Sequence, residues 1–257
     1  EIAQCLVGSE MCIRDRWKNM SYFEYNDVYA GYSKEMNVLQ GINFSLERDS
    51  RVALIGANGA GKSTIMKTIS GLVPLQKGSI VFDGERLDGL SPHKIVERGV
   101  IQVPEEGGTF PNLTIEENLM ISCVSKKAKE NASKNLSLVY DMFEPLAIKS
   151  ALLAGSLSGG QRKMLSIGKA IMEEPALLLL DDISMGLAPK VVQELYGSLK
   201  RLVDRLNKPV LVVEQIMEIA LQFADYGHVV QQGRIVMSGT SKELLNSEKV
   251  KSSYIGG

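Results

Sequence analysis

The sequence predicts an α/β fold built on a parallel sheet, and three observations carry that prediction. The apolar run Val52–Ile55 leads into a glycine-rich loop, Gly56–Thr64, after which Ile65, Met66, Ile69 and Leu72 recur at helical spacing. Ala176-Leu177-Leu178-Leu179-Leu180 carries no polar residue before Asp181 and Asp182, which suits the centre of a parallel sheet covered on both faces. Strand-like and helix-like stretches alternate along most of the chain.

Tyr22, Phe23, Tyr25, Val28 and Tyr29, then Val38, Leu39, Ile42, Phe44 and Leu46, read as short strands, with Ile42–Leu46 alternating as a half-buried antiparallel strand does. Gly31-Tyr32-Ser33 interrupts them, and Asp49-Ser50 turns the chain into Arg51–Ile55. Gly71, with Pro74 close behind, stops the helix after the glycine loop. Ser79–Phe82 reads as a strand ending in an Asp83-Gly84 turn. Ser91-Pro92 supplies an N-cap and a first helical position. Val100–Val103 is a buried strand stopped by Pro104, and residues 105–113 form a loop rich in Gly and Pro. Thr114-Ile115-Glu116-Glu117 has the capping-box form. Residues 125–150, lysine-rich with interspersed Leu, Val, Met and Phe, read as surface helices with a solvated face. Leu157–Gln161 opens a helix reaching about Met172. Pro189 opens another, carrying Val191, Val192, Leu195, Leu199, Leu202 and Leu206. Val210–Val213 is a buried strand ending in Glu214-Gln215, His228–Gln232 and Arg234–Met237 pair around Gly233, and a last helix starts near Ser241.

The chain has 257 residues, 44% hydrophobic and 23% charged, with a formal net charge of −1. That balance is ordinary for a globular protein and gives no bulk attraction to nucleic acid or an anionic membrane. No apolar run approaches the ~20 residues needed to cross a bilayer. Three cysteines, Cys5, Cys12 and Cys123, make neither a disulfide framework nor a zinc pattern; Cys123 reads as a small packing residue. Residues 1–19 hold two of the cysteines and the only tryptophan, have no clean period, and lack the parts of a signal peptide. They are expected to be a disordered, non-native leader, with the protein proper starting at Met20. The intact mass of the natural protein decides that point.

The loop fits G-x-x-x-x-G-K-[ST] through Gly56, Asn58, Gly59, Ala60, Gly61, Lys62, Ser63 and Thr64. Its glycines let backbone N–H groups close around a phosphate chain at the positive end of a helix. Lys62 can reach the outer phosphates, and the Ser63 hydroxyl can ligate Mg²⁺. A chance match in a chain of this length arises about once in a hundred. Asp181, ending its apolar strand, would hold the metal with Ser63, and Asp182 would serve as general base or orient the attacking water. Ligands of parallel sheets bind at the carboxyl ends of strands, so the loop, Asp181-Asp182 and Glu214-Gln215 can all converge on one nucleotide. In Leu157-Ser158-Gly159-Gly160-Gln161, Ser158 is an N-cap and Gln161 the third helical position. The two glycines cost helix stability unless something approaches the backbone closely, and a bare helix N-terminus with a serine hydroxyl makes a second phosphate site.

Gly56–Thr64, Leu157–Gln161 and Leu177–Asp182 together resemble the nucleotide-binding subunit of an ABC transporter, from Met20 to Gly257. Val103-Pro104-Glu105, Leu113–Leu119, Gly186-Leu187-Ala188-Pro189, Val213-Glu214-Gln215 and the tail Val250–Gly257 narrow it to the smaller ATP-binding subunit of bacterial branched-chain amino-acid importers. The resemblance implies an α/β P-loop NTPase with a RecA-like parallel core, an antiparallel β subdomain, and an inserted α-helical subdomain at about 105–165. It implies ATP and Mg²⁺ as ligands, and ATP hydrolysis as the reaction. Two such subunits pair head to tail, each ATP lying between one chain's phosphate loop and the other's Ser158, Gly159, Gly160 and Gln161. The implied partners are a second ATP-binding subunit, giving a heterodimer, two membrane-spanning permease subunits and, indirectly, a periplasmic or extracellular substrate-binding protein. No nucleic acid is expected, and the place of work is the cytoplasmic face of a bacterial inner membrane. Tyr32 would stack on adenine, Glu105 would sense the γ-phosphate and the metal, and Gln215 stands at the switch position.

Two departures matter. The family pattern after the metal-binding Asp is Glu-Pro-Ser, but this chain has Asp182-Ile183-Ser184. Aspartate is one methylene shorter, and loss of the proline loosens the turn that aims it, so hydrolysis at this site is expected to be slow beside the partner's. Glu106-Gly107-Gly108 replaces the usual Gly and Arg, which bears on contact with the permease. Alternatives are a non-hydrolysing, ATP-gated dimerisation subunit of the same complex, a urea or other amide substrate, and a soluble ABC protein of the DNA-repair or translation type. The last generally needs a second cassette or a coiled-coil insertion, which this chain lacks.

Overall fold

The computed structural model describes residues 21–33 and 36–248; the leader at 1–19, Met20 as a start and the tail Val250–Gly257 lie outside them. Ten strands are present among the described residues: β1 Phe23–Ala30, β2 Leu39–Leu46, β3 Arg51–Ile55, β4 Leu75–Phe82, β5 Glu85–Arg86, β6 Val100–Val103, β7 Leu177–Asp181, β8 Val210–Glu214, β9 Tyr226–Gln231 and β10 Arg234–Thr240. The helices are α1 Lys62–Ile69, α2 Pro92–Glu97, α3 Ile115–Met120, α4 Lys126–Glu130, α5 Ala132–Met142, α6 Glu144–Ile148, α7 Gly159–Met172, α8 Pro189–Leu206, α9 Met217–Phe223 and α10 Ser241–Asn246.

The strands form two sheets, ordered β2-β1-β4-β5 and β10-β9-β3-β8-β7-β6. The first is antiparallel throughout. The second is parallel from β9 to β6, with β10 as an antiparallel edge. Its central strands have no free face, which is why β7 and β8 read as unbroken apolar runs. Leu177, Leu179, Leu211 and Val213 enter one core with α1 and the antiparallel sheet. Leu178, Leu180, Val210 and Val212 enter the other, with α3 and α5 to α9. Alternation, invisible in the composition of these strands, reappears as a division between two cores.

Local signals act where expected. Thr114, Ser158 and Thr240 each make both halves of a capping box, each contributing about 1 kcal/mol to its helix. Ser91 occupies the N-cap of α2 without capping it; its hydroxyl lies 3.3 Å from His93 Nε2. The strand expected at Ser79–Phe82 begins earlier, at Leu75. Residues 125–150 fold as α4, α5 and α6, burying Ala128, Ala132, Asn135, Val139 and Leu146. Cys123 is buried, its Sγ 3.7 Å from the Met172 carbonyl.

Candidate functional site

Strand β3 ends at Ile55 and delivers the chain into the glycine loop at the carboxyl edge of the parallel sheet. Gly61 sits at the N-cap of α1 with φ +107°, a backbone conformation that calls for glycine, and a Cβ there would stand 3.0 Å from Leu39 Cδ2. No side chain caps α1, unlike α3, α4, α7 and α10. Its leading N–H groups, from Lys62, Ser63 and Thr64, are left for an acceptor from outside the helix. A cavity of about 220 Å³ is lined by Gly56, Asn58, Gly59 and Ala60 together with Val229–Gln232.

Lys62 folds over the loop and donates to the carbonyls of Gly56 (2.9 Å) and Ala57 (3.1 Å). Only 4% of it is exposed. Burial holds its ammonium below the ordinary lysine range, opposed chiefly by the charges of Asp182 and then Asp181. Asp181 and Asp182 are each 4% exposed. Burial first, then Asp182 and Glu105, push the Asp181 carboxyl up to about 6. Its Oδ2 accepts from Gln102 Nε2 at 3.3 Å. Its Oδ1 is the one buried side-chain nitrogen or oxygen without a hydrogen-bond partner among the described residues. A buried carboxylate oxygen left unpaired is costly, and it is the donor a hard divalent cation takes. The residues present therefore fit Mg²⁺.

Asp182 adopts φ +43°, a conformation that Asp and Asn reach more readily than other side-chain-bearing residues. Its N–H donates to Val213 O at 2.9 Å, which ties the turn to β8. Glu214 ends β8 beside Gln215 and turns into the interior. Its carboxylate is 1% exposed and accepts Ser184 N–H (3.0 Å), Ser184 Oγ (2.6 Å) and Tyr196 Oη (2.6 Å). Glu214 thus fastens the Asp182–Ser184 turn to β8 and α8 instead of touching a ligand. Replacing Tyr196 with Phe is expected to destabilise the fold by about 1.5–3 kcal/mol, the range for a hydrogen bond to a charged group, measured by chemical denaturation. Gln215 is partly exposed, and its Nε2 meets Met185 Sδ at 3.9 Å.

Tyr32 is 64% exposed and stands over the first turns of α1, its hydroxyl 3.4 Å from Thr64 Oγ1 and 3.3 Å from Lys67 Nζ. Glu105 is partly buried in the loop after β6; its carbonyl accepts from Lys163 Nζ, and the Gly107 carbonyl from Ser166 Oγ at 3.2 Å. Gln161 accepts both Ser158 N–H and Lys149 Nζ at 3.3 Å. The Gly159-Gly160 pair has a reason within the chain: a Cβ at Gly160 would lie 2.4 Å from Val191 Cγ1. Close approach by α8 is thus one reason for that glycine. Gly159 borders a second cavity, of about 400 Å³, with Glu105, Lys163 and Leu187. This cavity shares no residue with the one over the glycine loop.

Gln102, Ser184 and Tyr196 escaped sequence reasoning. For Gln102 a signal existed, a long polar side chain inside the buried strand Val100-Ile101-Gln102-Val103.

Residues 39–184, more than half of the chain, match the family model for ABC transporters. The chain belongs to the ABC transporter family. It is an ABC ATPase subunit, of the class that binds nucleotide. The high-affinity branched-chain amino acid transport ATP-binding protein BraG of Pseudomonas aeruginosa is 38% identical over 90% of this chain and 98% of that protein. BraF, named for the same transport in the same organism, is 27% identical over 85% of this chain and 91% of its own. LptB, the lipopolysaccharide export system ATP-binding protein of Haemophilus influenzae, is 30% identical over 92% of this chain and 98% of its own. Among solved structures, the ADP conformation of MJ1267, an ATP-binding cassette of an ABC transporter, superposes with a TM-score of 0.81 at 25% identity, covering 93% of this chain and all of that one.

Proposed function

We propose that this chain hydrolyses ATP to energise import of branched-chain amino acids, at the cytoplasmic face of a bacterial membrane. The observation that carries the site is the unpaired Oδ1 of Asp181, buried within the charge field of Lys62 beneath the glycine loop. The substrate class rests on BraG, at 38% identity against 30% for the export protein LptB. BraG is named as a transport ATP-binding protein, which supports permease partners here, two by analogy with the family. BraG and BraF are two different ATP-binding proteins named for one transport, which supports a heterodimer here. A periplasmic or extracellular binding protein would feed the permeases.

In this reading Gly56, Asn58, Gly59, Ala60, Gly61, Lys62, Ser63 and Thr64 cradle the phosphates through backbone N–H groups. Lys62 exchanges its two carbonyl partners for phosphate oxygens. Ser63, Asp181 and Glu105 would hold Mg²⁺, whose chemistry when bound would be to neutralise charge building on the phosphate oxygens. Asp182 accepts a proton from the attacking water as the water oxygen bonds to the γ-phosphorus and the bond to the bridging oxygen breaks, leaving ADP and phosphate. Gln215 helps orient that water, and Tyr32 covers the adenine. Ser158, Gly159, Gly160 and Gln161 serve the partner's ATP, so the site is completed by two chains.

The complete transporter reconstituted in vesicles tests this proposal. Leucine-stimulated phosphate release is expected, and Lys62→Ala in this chain should lower the turnover of its own site about a hundredfold or more. Full turnover in the variant, with the partner's site silenced, would refute the assignment.

A further inference from the structure

Gln102 is the member of this site that nothing so far explains. Strand β6 pairs with β7 in parallel, with Gln102 opposite Leu179, so Asp181 lies two residues further along on the same face. That diagonal spacing is within reach of a long side chain. Leu177, Leu179 and Val100 share this face and pack in the core with α1. Gln102 therefore points towards the helix that the glycine loop opens, and it is held at both ends. Its Nε2 donates to Asp181 Oδ2 (3.3 Å), and its Oε1 accepts from Ser70 Oγ at the C-cap of α1 (2.5 Å). The carboxylate accepts only, so the amide nitrogen must face it, and the amide oxygen is left for the serine hydroxyl. Donor and acceptor are thereby both fixed.

The consequence lies in the two oxygens of Asp181. Oδ2 has a partner and Oδ1 has none. Without Gln102, either oxygen could turn towards a ligand and the carboxylate could rotate about its χ2 angle, which is broad for Asp. With Gln102 in place, one oxygen is occupied and the other is committed. We infer that Gln102, braced by Ser70, is a positioning residue that presents Asp181 Oδ1 to the divalent cation of the nucleotide. The inference rests on the nucleotide-site reading given above. Through Ser70, the carboxylate is tied to the far end of the helix whose first turn holds Lys62 and Ser63, so metal and phosphate ligands share one frame. Partners behind a metal ligand are worth about 10–100-fold in metal affinity when removed.

The test is nucleotide binding by the purified full chain, titrated with ATP in EDTA and again in Mg²⁺, with Mn²⁺ paramagnetic resonance as a second readout of the bound cation. Gln102→Met keeps length and volume but has no amide. It is expected to leave affinity in EDTA within about twofold of wild type and to cut the gain on adding Mg²⁺ by about tenfold or more. Ser70→Ala should move the same quantity in the same direction, by less. A positioning role is overturned if Gln102→Met keeps the full Mg²⁺ gain, or if affinity falls equally with and without the metal, as a merely structural residue would give. A wild-type chain without any Mg²⁺ gain would overturn the nucleotide-site reading itself, a result distinguishable from either.

Discussion

Replacing Asp182 with Glu is expected to raise phosphate release at the site built on this chain's glycine loop, by up to about a hundredfold. The carboxylate advances by one methylene, and a displacement of ~1 Å at a reacting group is worth that much. The backbone is prepared to hold the longer acid. Asp182 donates its N–H to Val213 O, and the following residues are clamped by Glu214 through two bonds to Ser184, so the turn is fastened despite Ile183 in place of proline. Part of the gain is offset by the positive φ of +43°, which Glu tolerates less readily than Asp. The measurement is single-turnover hydrolysis in the assembled pair with the partner's own site inactivated. An unchanged rate in Asp182→Glu, together with collapse in Asp182→Asn, would show that the shorter carboxylate already reaches the water.

The second large effect concerns Asp181, and its two parts have opposite signs. In the metal-free chain, burial and the neighbouring Asp182 and Glu105 raise its carboxyl from 3.8 to about 6. Between those values the native chain retains a proton that the unfolded chain has released, so stability falls as pH rises through that window and stays lower above it. Ionised Asp181 therefore costs the metal-free fold about 3 kcal/mol at neutral pH. Asp181→Asn removes the charge but leaves an amide N–H where Oδ1 was, so a net gain of about 1–3 kcal/mol is expected at pH 7, shrinking towards pH 4. Urea unfolding in EDTA at the two pH values measures it. Equal midpoints for variant and wild type at pH 7 would contradict the burial argument. The same substitution should abolish the Mg²⁺ contribution to nucleotide affinity, so the residue that weakens the empty fold is the one that holds the metal.

Much of this arrangement is legible in the sequence. The strand–loop–helix at Gly56–Thr64, the apolar strand stopping at Asp181 and the capping box at Ser158 are local patterns, and local patterns decide local structure. The two-core division of β7 and β8 was implied by their unbroken apolar runs, since only a doubly covered strand can afford them. What stayed hidden depends on pairs distant in the chain. Glu214 shares its strand end with Gln215, yet its direction is set by Ser184 and Tyr196, 30 and 18 residues away. Gly160 also meets Val191, 31 residues on, where a Cβ would crowd α8. Gln102 meets Asp181 across 79 residues, through a strand register that no local period specifies.

In the proposed function, Lys62 and Asp181 grip a nucleotide together with a divalent cation. Calorimetric titration of ATP into the purified wild-type chain, in EDTA and in Mg²⁺, tests it most directly. The structure predicts binding that tightens at least tenfold on adding Mg²⁺, with the tightening lost in Asp181→Asn. Equal affinity in both buffers, or tightening that survives in Asp181→Asn, would contradict it.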